Sequence, residues 1–190
     1  MSHQELTRLT ATELGSLIQR KAVSPVEVAE AYLQRIEALE PQLNAFLTRL
    51  DNDALQNAKK AETEITSGFY RGPLHGIPVG LKDIFWTKGI RTTSGSILDA
   101  DFVPREDAAV AARLSDAGAY CIGKLHMSEF AFDGTSRNKH YGPAKNPWDT
   151  RRMAGGSSSG SGVAVASNEV PLALGTDTGG SVRLPAALCG

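Results

Sequence analysis

"RGPLHGIPVGLKDIF", residues 71–85, is where the chain changes character. Gly72-Pro73 and His75-Gly76 mark turns, and Ile77 to Phe85 then runs largely apolar, as a buried strand does. Everything before it reads as helix. Thr10-Ala11-Thr12-Glu13 fits a capping box, with Leu14, Leu17 and Ile18 following at helical spacing. Ser24-Pro25-Val26-Glu27 is a stronger start: a capping serine, proline at the first helical position and glutamate at the third. Ala29, Leu33 and Ile36 form its stripe, and Pro41 is expected to close it. A third helix is predicted from Asp53 to Ser67, ended by Gly68.

Downstream the two periods alternate. "REDAAVAARLSDAGA" (105–119) is an amphipathic helix, and "YCIGK" (120–124) a short buried strand. Residues 135–162 are polar and loop-like, "VAVAS" (163–167) starts another helix, and "VPLALG" (170–175) gives a further strand. Helices alternating with short apolar strands predict an α/β fold, a sheet with helices on both faces. No internal repeat is present.

The totals bound the function. The 190 residues suit one domain, or one and a piece of another. Twenty basic and 21 acidic side chains leave a net charge of −1, which gives no electrostatic case for nucleic acid. Cys121 and Cys189 lie too far apart for a C-x-x-C, so neither a disulfide framework nor a zinc site is expected, and no His/Cys/Asp cluster has metal-ligand spacing. Cys121 reads as a buried strand thiol. No apolar signal core or membrane-length run occurs, and a cytoplasmic protein is expected.

Three stretches carry possible chemistry. Lys82 lies among Leu81, Ile84 and Phe85. It is either a strand-end lysine snorkelling to water or a desolvated amine able to act as a neutral base, and Asp83 beside it is equally able to hold it charged. "GGSSSGSG" (155–162) has the glycine spacing of a phosphate loop but Ser161-Gly162 where that loop needs Lys-Ser/Thr. It also contains G-x-S-x-G around Ser158, but "KNPWDTRRMAG" before it is no buried strand, so a nucleophile elbow is rejected. A flexible surface loop is the plain alternative. "TDTGGSVRLP" (176–185) places Ser181 after two glycines and before an apolar segment, either as a helix cap or as a nucleophile among free N–H groups. A nucleophilic serine needs a base. None of His3, His75, His126 and His140 stands in a context that marks it as one, which leaves a lysine.

These residues are recognisable. "GGSSSGSGVAVAS…VPLALGTDTGGSVRLPAALCG" strongly resembles the glycine/serine-rich signature of the amidase signature family. "GIPVGLKDIF" is similar to that family's lysine strand, and "YGPAKNPWD" matches a third segment; the resemblance runs from about residue 24 onward. It implies a mixed sheet sandwiched by helices and a serine–serine–lysine triad. Ser181 matches the nucleophile, Ser157 the bridging serine held by a cis peptide bond, and Lys82 the base. The separations of 24 residues (157 to 181) and 75 residues (82 to 157) agree with the family layout. Ser158, Asp177 and Arg183 fall on supporting positions. The implied chemistry passes a proton from Ser181 through Ser157 to neutral Lys82 during attack on an amide carbonyl. The oxyanion would rest on N–H groups of Thr178, Gly179, Gly180 and Ser181, where one such donor is typically worth about 3–4 kcal/mol. Water then releases the acyl group, with no cofactor or metal.

The chain departs from the family pattern twice. Ser159 stands where the family usually has glycine, which carries a strain cost if the position needs φ > 0. The chain also stops at Gly190, just after the signature, so it is expected to be the N-terminal portion of a single amidase signature domain. A helical segment, 1–70, is expected to precede an α/β catalytic core from about 71 that is incomplete at its C-terminus. An open sheet edge there would favour aggregation.

The expected activity is an amidase acting on a small-molecule amide, with no membrane partner and with homo-oligomerisation open. Within the family the alternative is the glutaminase component of a glutamyl-tRNA amidotransferase, its A-type chain, which releases ammonia from glutamine for a partner protein. That role would bring nucleic acid within reach. The "DEFAMGSS"-like stretch of that component is matched only loosely by "SEFAFDGTS" (128–136), which leans toward a free-standing amidase. A different class of reading is an inactive fragment whose helices 10–20 and 25–40 pair with another chain.

Overall fold

Reciprocal serine or threonine caps start the first three helices. In the computed structural model, which describes residues 1–190, α1 (His3–Leu6), α2 (Ala11–Gln19) and α3 (Pro25–Leu43) begin after Ser2, Thr10 and Ser24. Each hydroxyl accepts an N–H from a glutamate three residues on, and that glutamate's carboxylate returns to the cap N–H. The single-turn α1 is an addition to the expected helices. Pro41 does not close α3 as predicted. It forfeits one hydrogen bond in the last turn, and the helix ends instead at Asn44, whose left-handed backbone (φ 53°) turns the chain. The Glu40 carboxylate then accepts from the N–H groups of Ala45 and Phe46, at 2.8 and 3.0 Å.

That turn delivers β1 (Phe46–Arg49), a strand that the sequence pattern does not announce. It is followed by α4 (Asp51–Thr66), β2 (Pro78–Lys82), α5 (Ala109–Asp116), β3 (Tyr120–Leu125), a 3-10 turn over Glu129–Ala131, α6 (Ser159–Ala166), β4 (Ala173–Leu174) and α7 (Arg183–Cys189). The sheet order is β1-β3-β2-β4. β1 pairs antiparallel with β3, while β2 is parallel to both β3 and β4, giving the expected mixed sheet.

The differences from expectation lie at element ends. β2 stops at Lys82, because the Asp83 side chain ties into the following loop and the Phe85 N–H turns back onto the Lys82 carbonyl. α5 is shorter than 105–119, β4 keeps only two residues of 170–175, and α6 starts four residues before "VAVAS".

The sheet is buried on both sides. Tyr120 and Ile122 of β3 join a large core with residues of α2, α3, α4 and α6, while Val79, Leu81 and the partly buried Cys121 face a smaller cluster with Ala111 of α5. Alternate residues of an extended strand point to opposite faces, so one short strand serves both layers. No helix is long and apolar enough to cross a membrane.

One buried carboxyl makes the fold pH-sensitive. Glu169 is fully buried; its Oε2 accepts from Ser167 Oγ at 2.7 Å and its Oε1 has no partner. Burial pushes its carboxyl up to about 8. Between the ordinary value of 4.5 and about 8 the unfolded chain ionises Glu169 while the folded chain keeps the proton, so stability falls as pH rises through that window and then levels off. Glu169→Gln has no proton to lose. Urea denaturation should show it matching the wild type near pH 5 and exceeding it near pH 8, by on the order of 4 kcal/mol. An equal pH dependence in both proteins would show that Glu169 is ionised when folded.

Candidate active site

Lys82, the last residue of β2, is fully buried, and its Nζ does not snorkel to water. The ammonium donates to Ser157 Oγ at 2.7 Å and to Thr176 Oγ1 at 2.8 Å. Burial lowers the amine to about 8, opposed by the negative charge of Asp177. Asp83 does not neutralise it. The Asp83 carboxylate turns to the other side, where it accepts from the N–H and Oγ1 of Thr93 and pairs with the buried Lys124 at 3.3 Å. A lysine so placed has two hydroxyl neighbours and no carboxylate in contact.

The serine-rich stretch is packed structure. Ser157, Ser158 and Ser159 are fully buried, and the Gly156–Ser157 peptide is cis. Ser158 joins the two glycine-bearing segments. Its hydroxyl donates to the Thr176 carbonyl and accepts the Thr176 N–H, both at 3.2 Å, and its own N–H donates to the Ser181 carbonyl at 3.0 Å. Ser159 carries no strain, because it has ordinary helical backbone as the first residue of α6. Its Oγ lies 2.8 Å from Nδ1 of the buried His126. The glycine that matters is the next one: a Cβ on Gly160 would sit 2.2 Å from the Ala45 carbonyl oxygen.

Asp177 organises the turn before α7. Its carboxylate accepts from the N–H groups of Gly180, Val182 and Arg183, at 2.8, 3.0 and 3.1 Å. The Arg183 guanidinium adds two bonds at 2.9 and 3.0 Å, and this pairing, with the backbone donors, holds the carboxyl well below the usual range. The wrap requires φ 119° at Gly180, a conformation other residues rarely adopt. In this arrangement the Gly180 N–H is engaged by Asp177, while those of Thr178, Gly179 and Ser181 make no hydrogen bond within the chain.

Ser157, Thr176, Thr178, Gly180 and Ser181 line one cleft of about 370 Å³ together with Ala131 to Gly134. Ser157 and Ser181 thus share a cavity, but their hydroxyls are not hydrogen-bonded to each other; Ser157 Oγ is held by Lys82. Because Asp177 is the common acceptor of the turn, Asp177→Ala should free the Gly180 amide and loosen residues 177–183. The expected result is a roughly 100-fold slower labelling by a serine-directed phosphonate, because the unbonded N–H groups of Thr178, Gly179 and Ser181 lose their fixed aim. An unchanged rate would mean the turn holds its shape without Asp177.

Two contributors are visible only in the fold. Thr176 stands inside the quoted "TDTGGS", yet its role as the second acceptor for Lys82 depends on how the segments pack. Ser128, far away in sequence, donates its N–H to the Ser157 carbonyl at 3.2 Å, and its Oγ lies 2.7 Å from the Thr135 carbonyl. With Gly156 N–H bonded to the Gly134 carbonyl at 2.8 Å, the 131–134 stretch is tied directly to the peptide carrying Ser157.

Comparison with known proteins places this geometry. The family model described as Amidase matches residues 27–190. A glutamyl-tRNA(Gln) amidotransferase component, the A-type chain from Aromatoleum aromaticum, is 51% identical over 179 residues, covering 94% of this chain and 36% of that protein. Among solved structures, a fatty acid amide hydrolase superposes with a TM-score of 0.95 at 30% identity, over 99% of this chain and 33% of its own. The peptide amidase of Stenotrophomonas maltophilia gives 0.90 at 39% identity, over 95% of this chain and 38% of its own. The chain therefore spans little more than a third of the length of such relatives. Since the matched region includes every element that builds the cleft, from the lysine strand to the turn before α7, the chain belongs to the amidase family.

Proposed function

We propose that the cleft acylates and deacylates a serine during hydrolysis of an amide bond. Ser181 is the nucleophile, Ser157 relays its proton, and Lys82 is the base. The observation that carries the reading is the 2.7 Å contact between Lys82 Nζ and Ser157 Oγ, two fully buried side chains, with no carboxylate in contact with the amine. Neutral Lys82 accepts the Ser157 proton as Ser157 takes the proton of Ser181, and the Ser181 oxygen bonds to the carbonyl carbon. This requires the Ser181 hydroxyl to close onto Ser157 when substrate fills the cleft. The free N–H groups of Thr178, Gly179 and Ser181 receive the oxyanion. The relay then runs in reverse, the C–N bond breaks, and the amine leaves with the proton. Water, deprotonated through the same relay, releases the acid from Ser181. Ser158, Asp177 and Arg183 hold the two segments in register.

The substrate class is a small-molecule amide. A second reading, glutamine as the amide whose ammonia passes to a partner protein, is favoured by the 51% identity to a glutamyl-tRNA(Gln) amidotransferase component. Hydroxylamine trapping tests both. A chain that acylates converts an aliphatic or aryl amide to its hydroxamate, and conversion of glutamine alone favours the second reading. No hydroxamate from any amide would remove the proposal.

A further inference from the structure

Asp83 and Lys124 lie directly behind Lys82, and the proposed chemistry does not use them. Both are fully buried, and their side chains meet at 3.3 Å. A buried ion pair is a weak source of stability, because desolvation offsets much of its attraction. This one holds the chain at a particular place. Lys124 also donates to the Phe85 carbonyl at 2.9 Å and to Thr92 Oγ1, and Asp83 receives both the N–H and the hydroxyl of Thr93. Backbone bonds from Asp83 N–H to Leu125 O and from Ser94 N–H to Asp83 O complete the clamp, at 3.0 and 3.1 Å.

We propose that Asp83 and Lys124 are positioning residues for Lys82: the pair pins the end of β2, and its opposite charges cancel beside the amine. The inference rests on the reading of Lys82 as the base. Extended backbone sends neighbouring side chains to opposite faces, so Asp83 shares a peptide bond with Lys82 and would, unpaired, be its nearest carboxylate. Lys124 claims that carboxylate for the other face. Burial raises the Asp83 carboxyl, opposed by Lys124 and by the two Thr93 donors. With Lys124 removed, the Thr93 donors are what keeps a negative charge next to Lys82, and with Asp83 removed, the Phe85 carbonyl and Thr92 hydroxyl are what keeps Lys124 positive.

The charged surroundings are few. Asp177 acts on Lys82 from the turn before α7, and Arg91 and Cys121 act on Lys124 from the loop after β2 and from β3. Packed against β2, helix α6 (SGSGVAVA) and strand β4 (Ala173–Leu174) carry no titratable side chain.

The test is titration of Lys82 by NMR in the chain labelled with [13Cε]lysine, its signal assigned by loss in Lys82→Met. Lys124→Met should raise the Lys82 titration midpoint by about one pH unit, and Asp83→Asn should lower it by about one unit, as expected for a single nearby charge. The double variant should return to within a few tenths of a unit of the wild type. Opposite shifts that cancel are a signature that general loosening of the fold does not produce. Shifts of the same sign, no shift in either single variant, or a double variant as displaced as a single one would overturn the proposal. If Lys124→Met does not fold, the downward shift in Asp83→Asn and its reversal in the double variant decide the matter. Titration reads the pair alone, whereas missing phosphonate labelling at Ser181 with these shifts intact would count against the catalytic reading only.

Discussion

Ser181→Ala is expected to abolish hydroxamate formation from any amide while leaving the fold unchanged. The reason is chemical before it is structural. In the proposed pathway every productive step passes through an ester on the Ser181 oxygen, and alanine has no atom to form it. The variant should fold, because Ser181 is only half-buried and the contact that ties its segment to Ser158 uses the Ser181 backbone carbonyl, which alanine retains. The Asp177 wrap likewise draws on backbone N–H groups and Arg183. Thermal unfolding within a degree or two of the wild type, with no trapped product, is the predicted pair of results. Wild-type product formation would assign the nucleophile elsewhere.

Lys82→Met should lower the same activity by about 10³-fold, the size of a lost general base, and should make the protein more stable. The wild-type rate is expected to climb with pH toward about 8, where burial places the amine, and then to level off; the variant should lack that rise. The stability effect has the opposite sign for a definite reason. The folded amine titrates near 8 and the unfolded one near 10.5, so between those values the unfolded chain binds a proton the folded chain does not, and wild-type stability grows with pH. Methionine removes the penalty of holding the ammonium out of water. The gain should be on the order of 3 kcal/mol below pH 8 and should vanish toward pH 10.5. Denaturant midpoints at neutral and alkaline pH check it. A variant that is both less active and less stable would mean that Lys82 is held mainly by its two hydroxyl partners.

How far the sequence reaches can be seen at particular residues. The capping boxes at Thr10 and Ser24 name their helices because the signal is local, three residues wide, and reciprocal. "FLTR" at 46–49 gives no comparable sign, since it becomes a strand only through pairing with residues 123–125. The start of α6 is hidden for the same reason: Ser159 and Gly160 enter the helix where Ala45 and His126 close around them, and serine and glycine alone read as loop. At the site, the amidase resemblance picks out Lys82, Ser157 and Ser181, but the local reading leaves Lys82 divided between two states. What the local reading lacks is the partner of Asp83: Lys124, 42 positions beyond Lys82, meets the carboxylate on the face opposite the amine. Thr176 and Ser128 enter the same way, by contacts that no spacing within their own segments encodes.

The proposed chemistry makes Ser181 an activated nucleophile. Reaction of the 190-residue chain with a fluorophosphonate, followed by peptide mass spectrometry, locates that serine. A single stoichiometric adduct on Ser181 is expected, forming faster as pH rises toward 8 and absent in Ser181→Ala. An adduct on Ser157 or Ser158, or none on a folded chain at any pH, would mean that Ser181 is not the nucleophile.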